Sequence, residues 1–315
     1  MGEPSLPTIA FEMTSKLAPT MIAVDIGNSR IKLGRFDRGG RCANPAPKQG
    51  LPIAGPLLPE PTDEFSLRIK NRAGDFDVAA LAAWCTEHVA ERAAWSVASV
   101  HRGAAERFKM AIVELSRQYG WDWTIQSLNY RDLPLTILVD EPERVGIDRL
   151  LAAVAADRRR QQGRGAIIAD VGTAITVDLL DADGAFRGGA ILPGVAMSAR
   201  ALDEQTDALP LVAIDQLDHP PEPLGTSTVT AIESGVYWGM VGAIRELATR
   251  LSAGLSEPPD VFLTGGASRH VAEYLARGSG WTVRHESHLV LAGIALVDQS
   301  LLGQSLLRQC GSLRK

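Results

Sequence analysis

The chain has 315 residues and a formal net charge of −5 at pH 7. Charged residues make up 22% of it and hydrophobic residues 45%, a balance typical of a globular protein with room for two domain-sized cores. The composition does not favour a nucleic-acid partner, and no apolar run is long enough to predict a membrane-spanning helix. Three widely separated cysteines without a CxxC pair favour a reducing compartment. We therefore expect a cytoplasmic protein.

The first predicted element follows a proline-containing extension, residues 1–20, which we expect to be disordered and not a signal peptide. Residues 21–36 read MIAVDIGNSRIKLGRF, in which an apolar run, a Gly-Asn-Ser turn and an alternating run predict a β-hairpin. Asp25 stands where the buried strand meets the turn, an expensive position for an unpaired carboxylate. A carboxylate beside exposed turn amides suits a magnesium nucleotide. A plain hairpin with a polar tip explains this stretch about equally well.

The same pattern recurs at residues 166–180, which read AIIADVGTAITVDLL. Again an apolar strand ends in Asp-x-Gly-hydroxyl, here Asp170, Gly172 and Thr173, and an alternating strand follows. Two distant copies predict a duplicated domain whose facing hairpins hold a nucleotide in the cleft between them. A duplication with a purely structural role is the alternative.

The remaining elements alternate between strands and helices, which predicts a mixed or parallel sheet covered by helices. Six prolines within residues 42–63 predict an irregular surface excursion. Helices are predicted over 76–94, 103–119, 150–160, 194–205, 227–251 and 289–302, and a further helix is predicted to begin at Ser268. Strands are predicted over 95–100, 121–126, 185–192, 261–264 and 281–284. The arginines within 158–164 are interpreted as a solvated helix end, and His285 with His288 as a surface pair.

A short loop, Gly146-Ile147-Asp148-Arg149, places an acid and a guanidinium side by side at a helix start. The acid could accept a proton from a substrate hydroxyl while the arginine binds an anionic group. Helix capping by Asp148, with Arg149 merely solvated, is the alternative. We favour the catalytic interpretation because the hairpins already predict a phosphate site.

Several well-known catalytic motifs are absent from the sequence: GxxxxGK[ST], GxGxxG, GxSxG and HExxH. Their absence argues against a P-loop enzyme, a Rossmann dehydrogenase, an α/β-hydrolase and a zincin. Glycine-rich segments at 188–194, 225–228 and 264–268 could allow a ligand to approach the backbone, or could simply serve strand and helix ends.

Taken together, the motifs occur in the order seen in type III pantothenate kinases, which the chain resembles over about residues 21–300. They are Asp25-Ile-Gly-Asn-Ser, Gly146-Ile-Asp-Arg, Asp170-Val-Gly-Thr, Gly188-Gly…Pro193-Gly, Gly225-x-x-Thr228 and Thr264-Gly-Gly. The resemblance implies an α/β fold of the acetate and sugar kinase/Hsp70/actin superfamily. Two duplicated ribonuclease H-like domains, each a mixed sheet flanked by helices, would enclose a nucleotide cleft. We assign them to 21–162 and 163–303, with a tail at 304–315.

The implied reaction is ATP-dependent phosphorylation of pantothenate to 4'-phosphopantothenate, the first step of coenzyme A biosynthesis. The resemblance also implies a homodimer with substrate near the subunit interface, a divalent cation such as Mg²⁺, and a monovalent cation, potassium or ammonium. The alternative is a non-catalytic nucleotide-binding accessory or regulatory protein of the same fold. Loss of Asp25 or Asp148 would favour that alternative, but both are present.

The resemblance assigns roles to individual residues. Asp148 would be the proton acceptor, Asp170 would bind the monovalent cation, and Asp25 would organise Mg²⁺ through the phosphates. Residues implied to bind ATP are Asp25, Ile26, Gly27, Asn28, Ser29, Arg30, Ile31, Lys32 and Thr173. Residues implied to bind pantothenate are Gly146, Ile147, Asp148, Arg149 and Thr228. Two positions depart from the family pattern: Ser29 replaces the usual threonine, and Val139 stands where many members have a tyrosine.

Overall fold

The computed structural model describes residues 20–38, 56–214, 219–268 and 271–312, with side chains described as far as residue 304. The predicted disordered extension therefore lies outside the described residues, apart from Thr20, which begins the first strand. Most of the predicted excursion at 42–63 also lies outside them.

Among the described residues, ten strands form two five-stranded sheets of identical topology. The first contains β1 (Thr20–Ile26), β2 (Arg30–Asp37), β3 (Asp63–Arg68), β4 (Arg92–Ser99) and β5 (Asp122–Ser127), in the order β3-β2-β1-β4-β5. The second contains β6 (Ala166–Val171), β7 (Ala174–Leu180), β8 (Phe186–Pro193), β9 (Asp260–Thr264) and β10 (Thr282–His285), in the order β8-β7-β6-β9-β10. In both sheets the first three strands form an antiparallel meander and the last two are parallel to the first. The predicted duplicated α/β fold is confirmed.

Helices cover both sheets. They are α1 (Val78–His88), α2 (Arg102–Tyr119), α3 (Ile147–Arg159), α4 (Val195–Glu204), α5 (Thr228–Leu251), α6 (Val271–Ala276) and α7 (Leu289–Ser312). Local sequence explains several of their ends. Ser227 and Thr230 form a reciprocal capping box at the start of α5, and Gly120, with φ 69°, ends α2 in the left-handed conformation.

The core has three parts, and the middle one joins the two halves of the molecule. Helices α1 and α2 pack on the outer face of the first sheet around Trp95 and Phe108. Helices α4, α5 and α6 pack on the outer face of the second sheet. Between the sheets lie α3 and α7, packed on each other and on the inner faces of both. The molecule is thus a stack of five layers.

The two central helices exchange partners between the halves. Helix α7, which comes last in the chain, packs on β1, β2 and β4 of the first sheet, whereas α3 contacts β6 and β7 of the second as well as β4 of the first. Gly293 permits their close crossing, because a Cβ at this position would collide with the backbone of Leu151. The domain boundary after residue 162 stays a prediction, since α3 and α7 both pack across it.

Some predicted local features differ in the structure. Strand β3 was not predicted, because its six residues follow the proline-rich stretch and, as an edge strand, it carries charges on its exposed face. The last helix continues to Ser312, ten residues beyond its predicted end. The predicted helix of 76–94 ends at His88, and its last residues belong to β4 instead.

Within the arginine cluster Arg158 is exposed, as predicted, but the two arginines that follow it are not solvated. Arg159 and Arg160 are 9% and 8% exposed. Arg160 bonds the Asp157 carboxylate at 2.7 Å and the Ala182 carbonyl at 2.9 Å, so it ties the end of α3 to the β7–β8 turn. The two histidines likewise do not form a pair: His285 bonds Ser268 at 2.9 Å, and His288 contacts Glu64 at 3.3 Å.

Candidate active site

The tips of the two predicted hairpins meet. The β1–β2 turn comprises residues 27–29, and the β6–β7 turn comprises residues 172–173. Thr173 Oγ1 donates a hydrogen bond of 2.8 Å to Ser29 Oγ, and both side chains are exposed. The hydroxyl that follows each Asp-x-Gly motif is therefore directed at the other half of the molecule.

Asp25 and Asp170 occupy equivalent positions, one residue before the end of β1 and of β6. Asp25 is 8% exposed and is the cross-strand neighbour of Lys32. Burial raises the pKa of Asp25 to about 7, opposed by the charge of Lys32 and assisted by Asp148 and Asp170. Burial likewise raises the pKa of Asp170 to about 6, with the same opposition from Lys32. The two carboxylates and Lys32 thus form one electrostatic cluster.

Asp148 joins this cluster from the first turn of α3. It does not cap the helix, because Gly146 is the N-cap residue and no side chain makes a capping bond there. The Asp148 carboxylate instead accepts a bond of 2.8 Å from the backbone N–H of Arg149. Burial raises the pKa of Asp148, opposed by Arg149 and Lys32. A Cβ at Gly146 would lie 2.5 Å from Asp148 Oδ1, so glycine leaves room for the carboxylate.

Arg149 is not solvated; it forms an ion pair with Asp178 of β7. Its Nε lies 3.1 Å from both carboxylate oxygens, and its Nη2 bonds Oδ1. Asp178 is 1% exposed. Asp178 was not among the predicted site residues because it lies in an alternating strand, eight residues beyond Asp170. The sequence did contain a hint of its role: a charged residue stands inside the strand, and the alternation of apolar and polar residues does not assign that position clearly to either face of the sheet.

The other predicted ATP-binding residues lie in and beside the first hairpin. Gly27, Asn28, Ser29 and Arg30 are at least partly exposed around the turn, and Lys32 is half-buried. Ile26 and Ile31 face each other across the hairpin, fully buried in the core. Neither residue is exposed in this structure, and their ATP-binding roles stay predictions.

The predicted pantothenate residues are divided between two places. Gly146, Ile147, Asp148 and Arg149 lie together at the start of α3, where the Ile147 side chain belongs to the central core. Thr228 is exposed at the first position of α5, beside the capping box. In the described part of the chain, no hydrogen bond joins Thr228 to the acidic cluster.

The glycine-rich segments mainly permit close packing of the protein backbone. Gly265 has φ +92°, and a Cβ there would collide with Asp170 Oδ1 and with the Val171 backbone. The turn after β9 therefore lies directly against Asp170. Gly194 similarly lies against the carbonyls of Gly172 and Thr173. Both glycines bring backbone to the edge of the cleft.

The oxygen atoms of the site fit cations that are coordinated partly by the protein and partly by a bound ligand. Within the described residues, no group of three or more His, Cys, Asp or Glu side chains is placed to hold a metal ion. Mg²⁺ usually binds one or two carboxylates together with phosphate oxygens and water, and the single buried carboxylate of Asp25 fits that mode. Asp170, next to the Val171 carbonyl and the Gly265 turn, offers the oxygen donors that suit a monovalent cation.

Two copies of one mixed-sheet fold, opposed at their hairpin tips above clustered acids, define an α/β protein of the actin-like class. The model of the family described as type III pantothenate kinase matches residues 21–250. A type III pantothenate kinase of Rhodopirellula baltica is 36% identical over 231 residues, which cover 72% of this chain and 81% of that relative. The chain belongs to the type III pantothenate kinase family.

Other relatives match over a shorter length. A type III pantothenate kinase of Dehalococcoides mccartyi is 40% identical over 163 residues, which cover 52% of this chain and 59% of that protein. The ethanolamine utilization protein EutJ of Carboxydothermus hydrogenoformans has a solved structure with 14% identity and a TM-score of 0.46. It covers 90% of this chain and 94% of its own, and the likeness is too distant to bear on function.

No helix among the described residues has the length and apolar character needed to cross a membrane.

Proposed function

We propose that this chain transfers the γ-phosphoryl group of ATP to the hydroxyl of pantothenate, forming 4'-phosphopantothenate in the first step of coenzyme A biosynthesis. Family membership supports this reaction. The observation that carries it is the convergence of Asp25, Asp148 and Asp170 around Lys32, next to the opposed hairpin tips. Phosphoryl transfer needs this combination of a base, a cation site and a positive side chain more than it needs covalent chemistry.

In the proposed mechanism the first hairpin and Thr173 hold the phosphates of ATP. The exposed turn of Gly27, Asn28 and Ser29 presents backbone and hydroxyl groups to the phosphate oxygens, and Lys32 contributes a positive charge. Mg²⁺, when bound beside Asp25, would neutralise charge on the phosphates. The Ser29–Thr173 contact supports a nucleotide position between the two halves.

Asp148 is the proposed proton acceptor. Burial raises its pKa, which brings the basicity of the carboxylate closer to that of an effective general base at neutral pH. As the substrate oxygen attacks phosphorus, its proton passes to the carboxylate of Asp148. Gly146, Ile147, Arg149 and Thr228 complete the proposed pantothenate site, and Asp170 the proposed site for potassium or ammonium.

The proposal includes a homodimer. Large apolar side chains are exposed on α2, β8, α4 and α5 and between α4 and α5. Ile191 of β8 is 65% exposed and Leu224, shortly before α5, is 80% exposed. A second copy of the chain that covers Leu224 would also place the nearby Thr228 at the subunit interface. Sedimentation velocity of the purified protein tests the proposed homodimer, and a monomer mass at micromolar concentration would contradict it.

The proposal also places the protein in the cytoplasm. The buried free thiol of Cys85 accords with this location.

The decisive experiment measures ADP release with ATP, Mg²⁺ and pantothenate, with and without potassium, for the wild type and for Asp148→Asn. We expect pantothenate-dependent turnover that requires the monovalent cation and falls at least about 100-fold in the variant, since a general base contributes about 10² to 10⁴. Nucleotide binding without pantothenate-dependent turnover in the wild type would reject the kinase and favour a non-catalytic binding protein.

A further inference from the structure

Asp178 is the ion-pair partner of Arg149, the proposed substrate-binding arginine. Its carboxylate takes both Nε and Nη2 of Arg149, which is the bidentate geometry that fixes a guanidinium plane. The side chain of Thr176 also donates to Asp178. A carboxylate bonded on several sides cannot rotate freely, so the orientation of Arg149 follows from that of Asp178.

The surroundings leave Asp178 little freedom to move. Gly189 is its cross-strand partner on β8, and a Cβ there would lie 2.5 Å from Asp178 Oδ1. On the other side, the Arg149 guanidinium lies 5.8 Å from the centre of the buried Phe186 ring. The glycine admits the carboxylate, and the ring supports the guanidinium at a cation–π distance.

One edge of the guanidinium remains for a ligand. Nε and Nη2 are both engaged by Asp178, and across the described residues no protein acceptor is bonded to Nη1. The backbone N–H of the same residue bonds Asp148, so the arginine and the proposed base are held at the same helix start. The free edge is therefore fixed relative to the Asp148 carboxylate.

We propose that Asp178 is a positioning residue that holds Arg149 by a bidentate ion pair and leaves Nη1 to bind the anionic group of the substrate. This inference rests on the proposed function and specifies how its substrate site is built. Asp178 itself does not touch substrate. Its removal should therefore weaken pantothenate binding through Arg149 and leave ATP binding largely intact.

The test is a kinetic double-mutant cycle with Asp178→Asn, Arg149→Gln and the double variant. We expect Asp178→Asn to raise KM for pantothenate about tenfold or more, the scale of a lost hydrogen bond to a charged group, with KM for ATP within about twofold. In the Arg149→Gln background, Asp178→Asn should add less than about twofold. A wild-type KM in Asp178→Asn, or an equal effect in both backgrounds, would overturn the inference.

Asp298→Asn is the matched control. Asp298 is 2% exposed, pairs with Arg38 at 2.5 Å and bonds Ser96, so its partners differ from those of Asp178 and Arg149. It should lose stability like Asp178→Asn but keep the wild-type KM for pantothenate. An equal KM increase in Asp298→Asn would show that KM follows general destabilisation, and would overturn the proposal.

Two further results complete the test. If Asp178→Asn does not fold, Arg149→Lys replaces it, because lysine keeps the charge but not the fork. We then expect the same rise in KM, and an unchanged KM would overturn the inference. A wild-type protein without pantothenate-dependent turnover would reject the proposed function, and this inference with it.

Discussion

Asp25 and Asp170 are buried carboxylates held close to other acids, and the ligand-free protein bears the cost of ionising them. Burial raises the pKa of Asp25 to about 7 and that of Asp170 to about 6. A folded-state pKa above the unfolded value favours the protonated folded state. The resulting stabilisation is fully present below about pH 4, the unfolded-state pKa, and is lost as the pH rises through 6 and 7.

We predict that ligand-free wild type loses stability relative to Asp25→Asn as the pH rises from about 4 to about 7, by an amount on the order of a few kcal/mol. The neutral amide of the variant has no ionisation cost to bear. Thermal melts across this pH range measure the difference. Asp37→Asn, at an exposed strand end, is the control and should follow the wild type. A constant difference between wild type and Asp25→Asn at all pH values would contradict the prediction.

Among the helices, the crossing of α3 and α7 depends on one position. Gly293 faces the backbone of Leu151 with no room for a Cβ, whereas Gly303 of the same helix has no atom within 4 Å of a Cβ built there. Glycine normally costs a helix interior roughly 0.5–1 kcal/mol relative to alanine. The two sites therefore separate helix propensity from packing.

We predict that Gly293→Ala lowers stability by about 1–3 kcal/mol, the usual cost of overpacking, because the crossing must open. Gly303→Ala should leave stability unchanged or raise it by up to about 1 kcal/mol. Urea denaturation of both variants beside the wild type measures the two effects. Equal changes in the two variants would show that α7 adapts to the added methyl group.

The sequence predicted those elements whose pattern is local. The two Asp-x-Gly turns, the alternating strands that follow them and the capped start of α5 could be read directly, and the structure contains all of them. Strand β3 was missed although Phe65 and Leu67 alternate with exposed residues, because it directly follows a proline-rich stretch that favoured an irregular segment. Asp178 and Arg160 have partners distant in the chain, and sequence periodicity does not report such pairings.

At the scale of the whole molecule, the two sheets share one central core. Met21 and Ala23 of the first sheet and Ile168 and Phe262 of the second belong to the same buried cluster, together with α3 and α7. Asp298 of α7 also accepts bonds from Arg38, Ser96 and Gln126 of the first half. Neither half can lose this interface without exposing apolar surface.

We therefore predict that both halves unfold in a single cooperative transition. Differential scanning calorimetry should give one peak in the ligand-free protein, with a calorimetric enthalpy per cooperative unit, here the proposed dimer, close to the van't Hoff enthalpy. Asp298→Asn should shift that peak to lower temperature without splitting it. Two resolved transitions in the wild type would show that the halves are independently stable, contrary to the shared core.

Because α7 packs on the first sheet, the order of synthesis also determines when that sheet can complete its folding. The first sheet is fully synthesised by Ser127, but the helix that covers most of its inner face begins only at Leu289. At roughly 5–20 residues per second, translation leaves that apolar face without its native cover for about 10–30 seconds. Newly made chains are therefore natural clients for chaperones that shield hydrophobic surface, and transcripts interrupted before the last helix should yield insoluble products.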